Sequence, residues 1–474
     1  MNILLTPARI GGVEIKNRIV MPPMTTRLAD RGGFVTDDTV NYYMARVRGG
    51  VGLITCEMAS PEKCGRHRFH ELGIYDDRFC DGLARLTAAI HGGGLENRAR
   101  FGLEVLRAVK AAAGDMPVIY RISVEDYFPD GMPFAEGRQI ALWAAEAGAD
   151  ALHVAAGHYR SLPSGAMQLP PMTYPDGIWL DYAASIRAAA GVPVIAVGRL
   201  GDPQIAEAAI AGGKADFIAL GRTSVAEPDW AAKLGRGETP RRCLACNTCI
   251  NEMRGGARIG CVVNGMAGRE TEFSGKEPLK GTRIAVIGAG PAGLSYAALV
   301  ASGNEVTVFE REPRAGGAFR YAGLAPLFQE VDANPRSFAL YIERLVARCV
   351  EQGVTIRYGV DVARAPDILA PFERIVVATG ARYRFGMGPI VTSMLESGFA
   401  RLPAVARLFA APRFRDWFYY RARKATGGDF SRLAGPDQTV IMIGDARRAA
   451  KSKDAISSAF EAAYGLAIPP RPSP

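Results

Sequence analysis

Four cysteines in one short stretch constrain the fold of this chain more than any other feature. Cys243, Cys246, Cys249 and Cys261 have the spacing C-x2-C-x2-C-x11-C. Three thiolates within one tight loop can hold a face of a cubane while the fourth closes the site, which is typical of four-cysteine ligation of an iron–sulfur cluster. Structural zinc, which more often uses two separated C-x2-C pairs, and ordinary core cysteines are the alternatives. The spacing favours a [4Fe–4S] cluster.

Length and composition indicate two or three domains with a substantial core, because 48% of the 474 residues are hydrophobic. Eight cysteines, half of them in this motif, favour a reducing compartment, so we expect a cytoplasmic protein. The amino terminus lacks the basic start and apolar stretch of a signal peptide. Residues 284–303 are uncharged but follow a dinucleotide-binding glycine pattern, and we therefore expect no membrane span.

The net charge of +9 is concentrated near the carboxyl end. Between Ser397 and Thr426, seven Arg and Lys residues face a single acid, Asp416, and aromatic residues are interleaved with them. No recognisable nucleic-acid module surrounds this segment, so we expect no nucleic-acid partner. It is interpreted either as a helical cap whose aromatic side chains pack inward, or as a docking surface for an acidic redox partner or another subunit.

The first 240 residues alternate between short apolar runs and helical patterns. The predicted strands are Ile19–Met24, Gly52–Ala59, Pro117–Ser123, Ala149–Ala155, Pro193–Gly198 and Asp216–Gly221. Helices such as Leu95–Ala113 and Gly137–Ala147 lie between most of them. This alternation predicts an α/β fold with a parallel sheet, whose closed form is a (β/α)8 barrel with its catalytic mouth at the carboxyl ends of the strands.

Several motifs resemble those of the Old Yellow Enzyme-like flavin oxidoreductases, in the iron–sulfur branch that contains trimethylamine dehydrogenase and 2,4-dienoyl-CoA reductase. They are N-R-I-V-M-P-P-M-T at 17–25, G-G-x-L-E-N-R-A-R-F at 92–101, Y-R-I-S-V-E-D at 120–126, A-V-G-R-L-G-D-P at 196–203, A-L-G-R at 219–222 and the cysteine loop. The resemblance covers nearly the whole chain. It implies a flavin enzyme that acts on a small-molecule substrate.

The resemblance also implies FMN at the barrel mouth. The residues concerned are Pro23, Met24 and Thr25 along the isoalloxazine, Glu57 at the mouth, Arg121 near N1 and the C2 carbonyl, and Gly198, Arg199, Gly221 and Arg222 around the phosphate. Thr25 stands where trimethylamine dehydrogenase attaches its flavin through cysteine, so FMN is expected to bind noncovalently. Alternatively, Arg121 forms an ion pair with Glu125 or Asp126, and the glycines serve turns alone.

One part of the expected barrel is missing from the sequence. Asp81–His91 and Leu95–Ala113 both read as helices, with three glycines between them and no room for a strand. Six strands are present where eight are needed, so about two strand–helix units are absent near residues 91–95. We expect an opened barrel or one completed by another chain, and a degenerate protein is a further possibility.

Candidates for acid–base chemistry are few because family members carry a His/Tyr pair in the absent segment. His158 and Tyr159 follow a predicted strand at the mouth, near the position where the dienoyl reductase branch places a histidine. A solvent-facing loop histidine is the alternative for His158. Tyr174 and Asp176 are weaker candidates, and His153 has no recognisable constellation around it.

The carboxyl-terminal block opens with a dinucleotide fingerprint. A strand precedes Gly288, Gly290 and Gly293, a helix follows, and Glu310 lies after the next strand, where it can bind ribose hydroxyls. Motifs similar to those of two-dinucleotide flavoprotein reductases add Gly317, Arg320, Thr379, Gly380 and Asp445. The resemblance favours FAD, with ADP or no ligand as alternatives. No second fingerprint follows Ala381, so the NAD(P)H subdomain is expected to be reduced or replaced.

Three parts are therefore predicted. They are an FMN-binding barrel at 1–240, the cluster loop and linker at 241–280, and a Rossmann-like FAD- or ADP-binding domain at 281–474. The predicted function is an oxidoreductase that passes electrons between a small-molecule substrate at FMN, the cluster, and a second flavin or a protein electron carrier. The alternatives are a non-catalytic relay subunit of a larger complex and a zinc-knuckle nucleic-acid protein. We expect a homo- or hetero-oligomer, in which a partner subunit could complete the barrel.

Overall fold

The computed structural model describes residues 2–28, 37–55, 95–128, 131–158, 164–328 and 331–467. It divides into two compact units. The first consists of Met1–Ser224, Pro228–Pro240 and Gly255–Arg258, and the second of Val225–Glu227, Arg241–Arg254 and Ile259–Pro474. All four cysteines of the motif therefore lie in the same unit as the nucleotide fingerprint. The division of the chain into three domains stays a prediction.

The first unit is built on short strands and the helices between them. The strands are β1 (Ala8–Ile10), β2 (Val13–Ile15), β3 (Ile19–Met21), β4 (Leu53–Ile54), β5 (Ile119–Ser123), β6 (Ala151–Ala155), β7 (Val194–Ala196) and β8 (Phe217–Ala219). The helices are α1 (Asp37–Arg48), α2 (Leu95–Ala113), α3 (Phe134–Glu146), α4 (Ser164–Gln168), α5 (Leu180–Ala190), α6 (Pro203–Ala211), α7 (Gly221–Ala226) and α8 (Trp230–Gly235).

Six of these strands form one parallel sheet in the order β4-β3-β8-β7-β6-β5. The first strand, β3, pairs with the last, β8, through Ile19 and Ile218, as it would in a closed barrel. β4 and β5 end the sheet, and within the described ranges no strand joins them. The prediction of an incomplete barrel with about six strands is confirmed. The predicted helix Asp81–His91 lies outside the described residues.

The strands were predicted to be longer than they are, and β3 shows the reason. The apolar pattern extends to Met24, but the strand ends at Met21 because Pro22 and Pro23 have no N–H to donate to the ladder. By contrast, α2 has the predicted bounds, Leu95–Ala113. No proline interrupts its sequence.

Alternating residues of the strands fill the inside of this sheet. Val20, Ala151, Ile195 and Phe217 form its buried core, and Ile10 from the β1–β2 hairpin packs against them. Side chains on a strand alternate between faces. Because Ile119 and Ala151 face inward, Arg121 on β5 and His153 on β6 also face inward. This alternation places these two polar side chains on the inner face at the middle of β5 and β6.

The second unit contains a five-stranded parallel sheet and its covering helices. In chain order its elements are α9 (Thr248–Arg254), α10 (Glu270–Phe273), β9 (Arg283–Ile287), α11 (Pro291–Val300), β10 (Glu305–Glu310), α12 (Phe319–Ala322), β11 (Leu327–Phe328), β12 (Val331–Asp332), α13 (Pro335–Glu351), β13 (Thr355–Tyr358), β14 (Arg374–Val377), β15 (Ala381–Tyr383), α14 (Gly388–Glu396), α15 (Pro403–Ala410), α16 (Pro412–Asp416), β16 (Arg423–Ala425), β17 (Thr439–Met442) and α17 (Ser452–Ala463). The sheet has the order β13-β10-β9-β14-β17, which is a Rossmann-like arrangement.

The helix that follows the fingerprint strand is almost entirely buried. α11 begins with Pro291, whose fixed φ suits the first helical position, and eight of its ten residues are buried. A helix that is apolar on all sides belongs in the interior rather than at a surface. The uncharged stretch that could suggest a membrane span is therefore the core of this unit. Of the described helices, none is long and apolar enough to cross a membrane.

An insertion separates β14 from β17. The strands β15 and β16 form an antiparallel ribbon, with Ala381 opposite Ala425 and Tyr383 opposite Arg423. Helices α14, α15 and α16 lie between the two strands of the ribbon. This helical insertion occupies the sequence position where the second nucleotide fold was expected, and no strand of a second nucleotide sheet is found in its described residues.

Candidate functional site

The carboxyl ends of β3 and β8 bring two predicted flavin-binding segments together. A Cβ added to Gly221 would lie 3.1 Å from Met24 Sδ and 3.2 Å from Pro22 Cγ. A side chain at position 221 would therefore require the Met24 and Pro22 side chains to move by a few tenths of an ångström. Pro23 and Thr25 belong to the same segment as Met24, directly after β3. Glu57, the remaining predicted residue of this group on the β4 side, lies outside the described residues.

The predicted phosphate-binding residues follow β7 and β8. Gly198 and Arg199 are consecutive residues with positive φ, of +119° and +59°. The Arg199 guanidinium is buried, forms an ion pair with Asp176 at 2.9 Å and donates to the Pro171 carbonyl at 2.8 Å. Arg222 Nη2 donates to the Pro170 carbonyl at 2.8 Å. One loop thus fixes both arginine side chains, and Asp176 is a structural partner of Arg199.

Arg121 on β5 lies directly opposite His153 on β6. The Arg121 Nη1 atom is 2.6 Å from His153 Nε2 and 3.0 Å from Nδ1. Burial, together with the neighbouring guanidinium charge, holds the pKa of His153 well below its ordinary value. The imidazole is therefore neutral and can accept a hydrogen bond from the guanidinium. The prediction that His153 has no constellation around it was wrong, because strand register rather than local sequence supplies its partner.

A second polar group at the mouth was not found from the sequence. The Tyr182 hydroxyl donates to Glu125 Oε2, and the Tyr127 hydroxyl donates to Tyr182 at 3.3 Å. Burial raises the pKa of both phenols, and the hydrogen bond to Glu125 raises that of Tyr182 further. Both hydroxyls are therefore protonated at neutral pH.

Backbone strain accompanies this network. Tyr127 has a φ of +58°, which is uncommon for a bulky residue and costs energy that surrounding contacts must offset. Its ring packs against a cluster containing Ala155, Ala156 and Trp179 at the ends of β6 and α5. No spacing in the sequence relates residue 127 to residue 182, so only the fold could reveal the pair.

His158 lies in the loop that follows β6, as expected. Its Nε2 atom is 3.9 Å from Asp126 Oδ1, and its ring meets Phe128 edge-on at 5.0 Å. The backbone N–H of His158 donates to Ser164 Oγ at 2.9 Å. The side chain is partly exposed, so a proton can reach it from solvent. Its predicted partner Tyr159 lies outside the described residues.

The cysteine loop is tightly curled. Ala245 and Asn247 have positive φ values of +51° and +56°. Alternating conformations of this kind turn successive N–H groups inward, which suits an anionic group. The Ala245 N–H donates to Cys243 Sγ at 3.4 Å, and Cys249 lies at the start of α9. The curled backbone therefore favours thiolate sulfurs at its centre.

The fourth cysteine lies close enough to the loop to feel its charge. Burial raises the pKa of Cys261 to about 12, and the charges of Cys243 and Cys246 contribute, while the N–H groups of Val263 and Asn264 oppose the shift. A bound metal reverses this preference, because a coordinated thiol loses its proton. Among the described residues, no group of three or more His, Cys, Asp or Glu side chains is placed to hold a single metal ion.

Glycine suits each of the three fingerprint positions for a different steric reason. A Cβ on Gly288 would lie 2.6 Å from the Ala378 carbonyl, and one on Gly293 only 2.0 Å from the Gly288 carbonyl. A Cβ on Gly290 would meet nothing within 4 Å. The first and third glycines thus permit the turn and the helix–strand packing, whereas the second leaves its backbone open to a ligand. Glu310 Oε2 accepts from the Ala289 N–H at 2.8 Å, within this loop.

Other predicted nucleotide residues surround the same loop. A Cβ on Gly317 would lie 3.4 Å from Gly290 Cα, so the two glycine loops face each other. Arg320 follows on α12. Asp445 forms an ion pair with Arg423 at 2.7 Å and accepts from the Ala450 N–H at 3.0 Å.

The remaining pair, Thr379 and Gly380, contacts the end of the helical insertion. Thr379 Oγ1 is 2.8 Å from Thr426 Oγ1, and the Thr426 hydroxyl donates to the Gly380 carbonyl at 2.8 Å. Together with the Arg423–Asp445 ion pair, these contacts tie the base of the insertion to the candidate nucleotide site. No motif in the sequence connects the insertion to this site.

Comparison with known proteins agrees with this arrangement. The NADH:flavin oxidoreductase / NADH oxidase family matches residues 3–92 and 91–239, and an NAD(P)-binding Rossmann-like domain matches residues 286–343. An NADH oxidase of Thermoanaerobacter brockii is 30% identical over 485 aligned residues, covering 80% of this chain and 73% of that protein. A metal reductase of Desulforamulus reducens is 29% identical and covers 80% and 71%.

Solved structures share the fold. A complex of 2-naphthoyl-CoA reductase with 2-naphthoyl-CoA superposes with a TM-score of 0.80 at 18% identity, covering 98% of this chain and 99% of that one. Histamine dehydrogenase from Rhizobium sp. 4-9 gives 0.73 at 18% identity, covering 98% and 97%. The chain belongs to the NADH:flavin oxidoreductase / NADH oxidase family and is an FMN-dependent oxidoreductase.

Proposed function

We propose that this protein is an iron–sulfur flavoenzyme that passes electrons between a small-molecule substrate at the barrel mouth and a second nucleotide or a protein electron carrier. FMN supplies two-electron chemistry with the substrate, and a [4Fe–4S] cluster supplies one-electron transfer. The observation that carries the proposal is that the segments after β3 and β8 meet at Met24 and Gly221, while one loop holds both Arg199 and Arg222. The cytoplasm is the proposed location, because all five described cysteines are free thiols.

The residues at the mouth fit a noncovalent FMN. Gly198 and Gly221 leave room for Trp179 and Met24 at the turns after β7 and β8, and one loop holds the side chains of Arg199 and Arg222, which would bind the phosphate. Met24, with Pro23 and Thr25, lies beside Gly221 and would line the ring system. Arg121 would place its positive charge near the pyrimidine end, and neutral His153 leaves that charge intact.

Two groups are proposed to move protons at this mouth. His158 exchanges protons with solvent and is oriented by Asp126 and Phe128. The Tyr127–Tyr182–Glu125 chain offers a second path, in which each hydroxyl passes on one proton and receives another. Either could replace the donor that family members carry in the absent segment. Tyr159 stays a further candidate.

The cysteine loop is proposed to hold the cluster through Cys243, Cys246, Cys249 and Cys261. The inward-turned backbone and the closeness of Cys261 to Cys243 and Cys246 support this ligand set. The fingerprint glycines, with Glu310, Gly317, Arg320, Thr379, Gly380 and Asp445, are proposed to hold FAD or ADP. The open approach at Gly290 supports a pyrophosphate there.

A cofactor inventory tests the proposal. The full-length protein would be purified anaerobically, its nucleotides identified by mass spectrometry, and iron and acid-labile sulfide measured. Stoichiometric FMN with iron and sulfide is the expected result. A colourless, iron-free protein contradicts it. Reduction by NADH and by a reduced carrier would then be compared, and fast bleaching of the flavin by NADH alone would exclude a carrier as the required donor.

A second candidate is a non-catalytic relay subunit that a partner chain completes. Within the described residues the sheet ends at β4 and β5, and the family match is in two segments that meet at residues 91–92. The alignment with NADH oxidase is longer than this chain although only 80% of the chain is aligned. These observations favour an internal deletion near residues 91–95. Iron with FAD but without FMN would support this candidate, and substrate turnover with bound FMN would exclude it.

A further inference from the structure

The helical insertion, residues 382–424, exposes an unusual amount of apolar surface. Phe385 is 93% exposed and Ile390 is 70% exposed. Phe399, Leu402, Leu408 and Trp417 are each between 43% and 53% exposed. Fifteen large hydrophobic residues are exposed in the described part of the chain, and six of them lie in this short segment. Clustered exposure of this kind marks an interaction surface.

The exposed apolar residues lie on a folded body. Val391, Leu395 and Ala400 are buried against residues from elsewhere in the second unit, including Tyr321 and Leu324. The ring centroid of Phe409 lies 5.2 Å from that of Phe414 and 5.3 Å from that of Phe418. The interpretation of inward-packed aromatic residues holds for these rings, but Phe399 and Trp417 remain at the surface. The surface is therefore preorganised rather than a loose tail.

The same segment carries a large excess of positive charge. Between residues 382 and 424 there are eight arginines and one lysine against two acids, Glu396 and Asp416. Six of the cations are exposed, and their side chains make no hydrogen bond or ion pair with any described residue. They are Arg382, Arg384, Arg407, Arg413, Arg421 and Lys424. Cations without internal partners are available to an external anion.

The composition favours an acidic protein as that partner. Arginine and aromatic residues are enriched at protein interfaces, whereas lysine, glutamate and aspartate are depleted there. A guanidinium binds a carboxylate through two parallel hydrogen bonds, which lysine cannot do. A second copy of this chain would bring like charges together and is disfavoured. An anionic membrane is the remaining competitor, and binding to anionic vesicles distinguishes it from a protein.

The attachment of the insertion indicates what such a partner would do. Strand β16 returns the chain to the candidate nucleotide site, where Arg423 pairs with Asp445 and Thr426 contacts Thr379. A protein bound to the insertion therefore contacts the element that is fixed to the second nucleotide's residues. This position suits electron transfer to or from that nucleotide.

We infer that the helical insertion is the docking surface for an acidic, single-electron carrier protein. The inference rests on the proposed function. Each docked carrier gains or loses one electron, so two carrier molecules are converted for each two-electron substrate. The arginines provide encounter and orientation, and Phe385, Ile390 and Trp417 provide the apolar contact that slows dissociation.

A charge-reversal experiment on the full-length holoprotein tests the inference. The variant combines Arg407→Glu, Arg413→Glu and Arg421→Glu, and the control is Lys276→Glu at an exposed lysine outside the insertion. The probes are an acidic [2Fe–2S] ferredoxin and an acidic flavodoxin, with binding of the oxidised probe and flavin reduction by the reduced probe measured at two salt concentrations. In the variant we expect probe affinity and the rate of flavin reduction each to fall at least about tenfold, with little remaining salt dependence. In the control we expect each to change by less than about twofold.

Other outcomes separate the alternatives. Unchanged carrier binding in the charge-reversal variant overturns the inference, as does binding to phosphatidylserine vesicles that is lost in the variant while carrier binding is not. Phe385→Ser with Trp417→Ser keeps the charge and should speed dissociation, which checks the apolar part. Binding of the oxidised probe does not require bound flavin. If cofactors are absent but the probe binds, the proposed function fails while the docking surface stands.

Discussion

The five-stranded sheet of the second unit keeps an unbroken Rossmann-like order, whereas the six-stranded sheet of the first unit ends at β4 and β5 without closing within the described residues. Their candidate sites differ in the same way. The glycine fingerprint is a local feature, complete within Gly288–Gly293. The barrel mouth is assembled from residues far apart, such as Arg121 with His153 and Tyr127 with Tyr182.

This difference teaches which sites survive a large deletion. A local motif needs only its own turn and the strand beside it, so its geometry is secure when other parts change. A mouth built from many strand ends depends on the register of every neighbour. We therefore expect the largest losses of cofactor from substitutions within the local motifs of the second unit, and smaller, graded effects from substitutions in the first unit.

The largest effect is expected from a ligand of the cluster. Cys246→Ala removes one of the four proposed thiolates and should eliminate nearly all bound iron, because the loop then cannot complete the site. Iron and sulfide assays with the visible spectrum provide the measurement. Cys349→Ala, at a buried cysteine outside the loop, is the control and should keep its iron. Equal iron in both variants would contradict the proposed ligand set.

A pair of glycine substitutions separates packing from ligand binding in the fingerprint. Gly293→Ala forces a Cβ to within 2.0 Å of the Gly288 carbonyl, and it should lower the free energy of unfolding by about 3 kcal/mol. Gly290→Ala meets no atom within 4 Å, so the melting temperature should stay the same. Its methyl group should instead weaken nucleotide binding at least about tenfold. Loss of stability in Gly290→Ala would refute this division of roles.

His153 should make the stability of the first unit depend on pH. Its pKa in the folded protein lies well below 6.5, so as pH falls under that value the unfolded chain takes up a proton that the folded chain does not. The free energy of unfolding should therefore fall with decreasing pH, by up to about 1.4 kcal/mol per unit. The decline ends once the pH is below the folded pKa.

His153→Gln keeps a hydrogen-bond acceptor for Arg121 but cannot titrate. Denaturant unfolding from pH 5 to pH 8 should show a shallower slope below pH 6.5 in this variant than in the parent. Above pH 7 the two proteins should differ by a constant amount, which is the internal control. Identical slopes at low pH would mean that His153 is not buried against Arg121 as described.

The smallest effects are expected in the tyrosine network. Tyr182→Phe removes the donor to Glu125 and should lower the free energy of unfolding by about 1.5 kcal/mol. Tyr127→Phe removes the long 3.3 Å hydrogen bond to Tyr182, and should cost about 0.5 kcal/mol. Chemical denaturation measures both. A larger loss of stability for Tyr127→Phe than for Tyr182→Phe would contradict the assigned order of hydrogen bonds from Tyr127 through Tyr182 to Glu125.

The sequence by itself determined the elements and the local motifs. Alternating apolar runs indicated six strands, an uninterrupted helical pattern gave Leu95–Ala113, and three glycines after β9 marked the nucleotide loop. Each depends on interactions within a few residues or on a period that the sequence displays directly. The absence of two strand–helix units was also readable, because three glycines cannot form a strand.

Only the tertiary structure decided the contacts between distant residues. His153 meets Arg121 through the pairing of β5 with β6, and Arg423 meets Asp445 because a ribbon returns the insertion to the nucleotide site. Strand register and loop packing set such contacts, and a shift of one residue would turn each side chain to the other face. Local patterns carry no record of that choice, so these partners became visible only once the chain was folded.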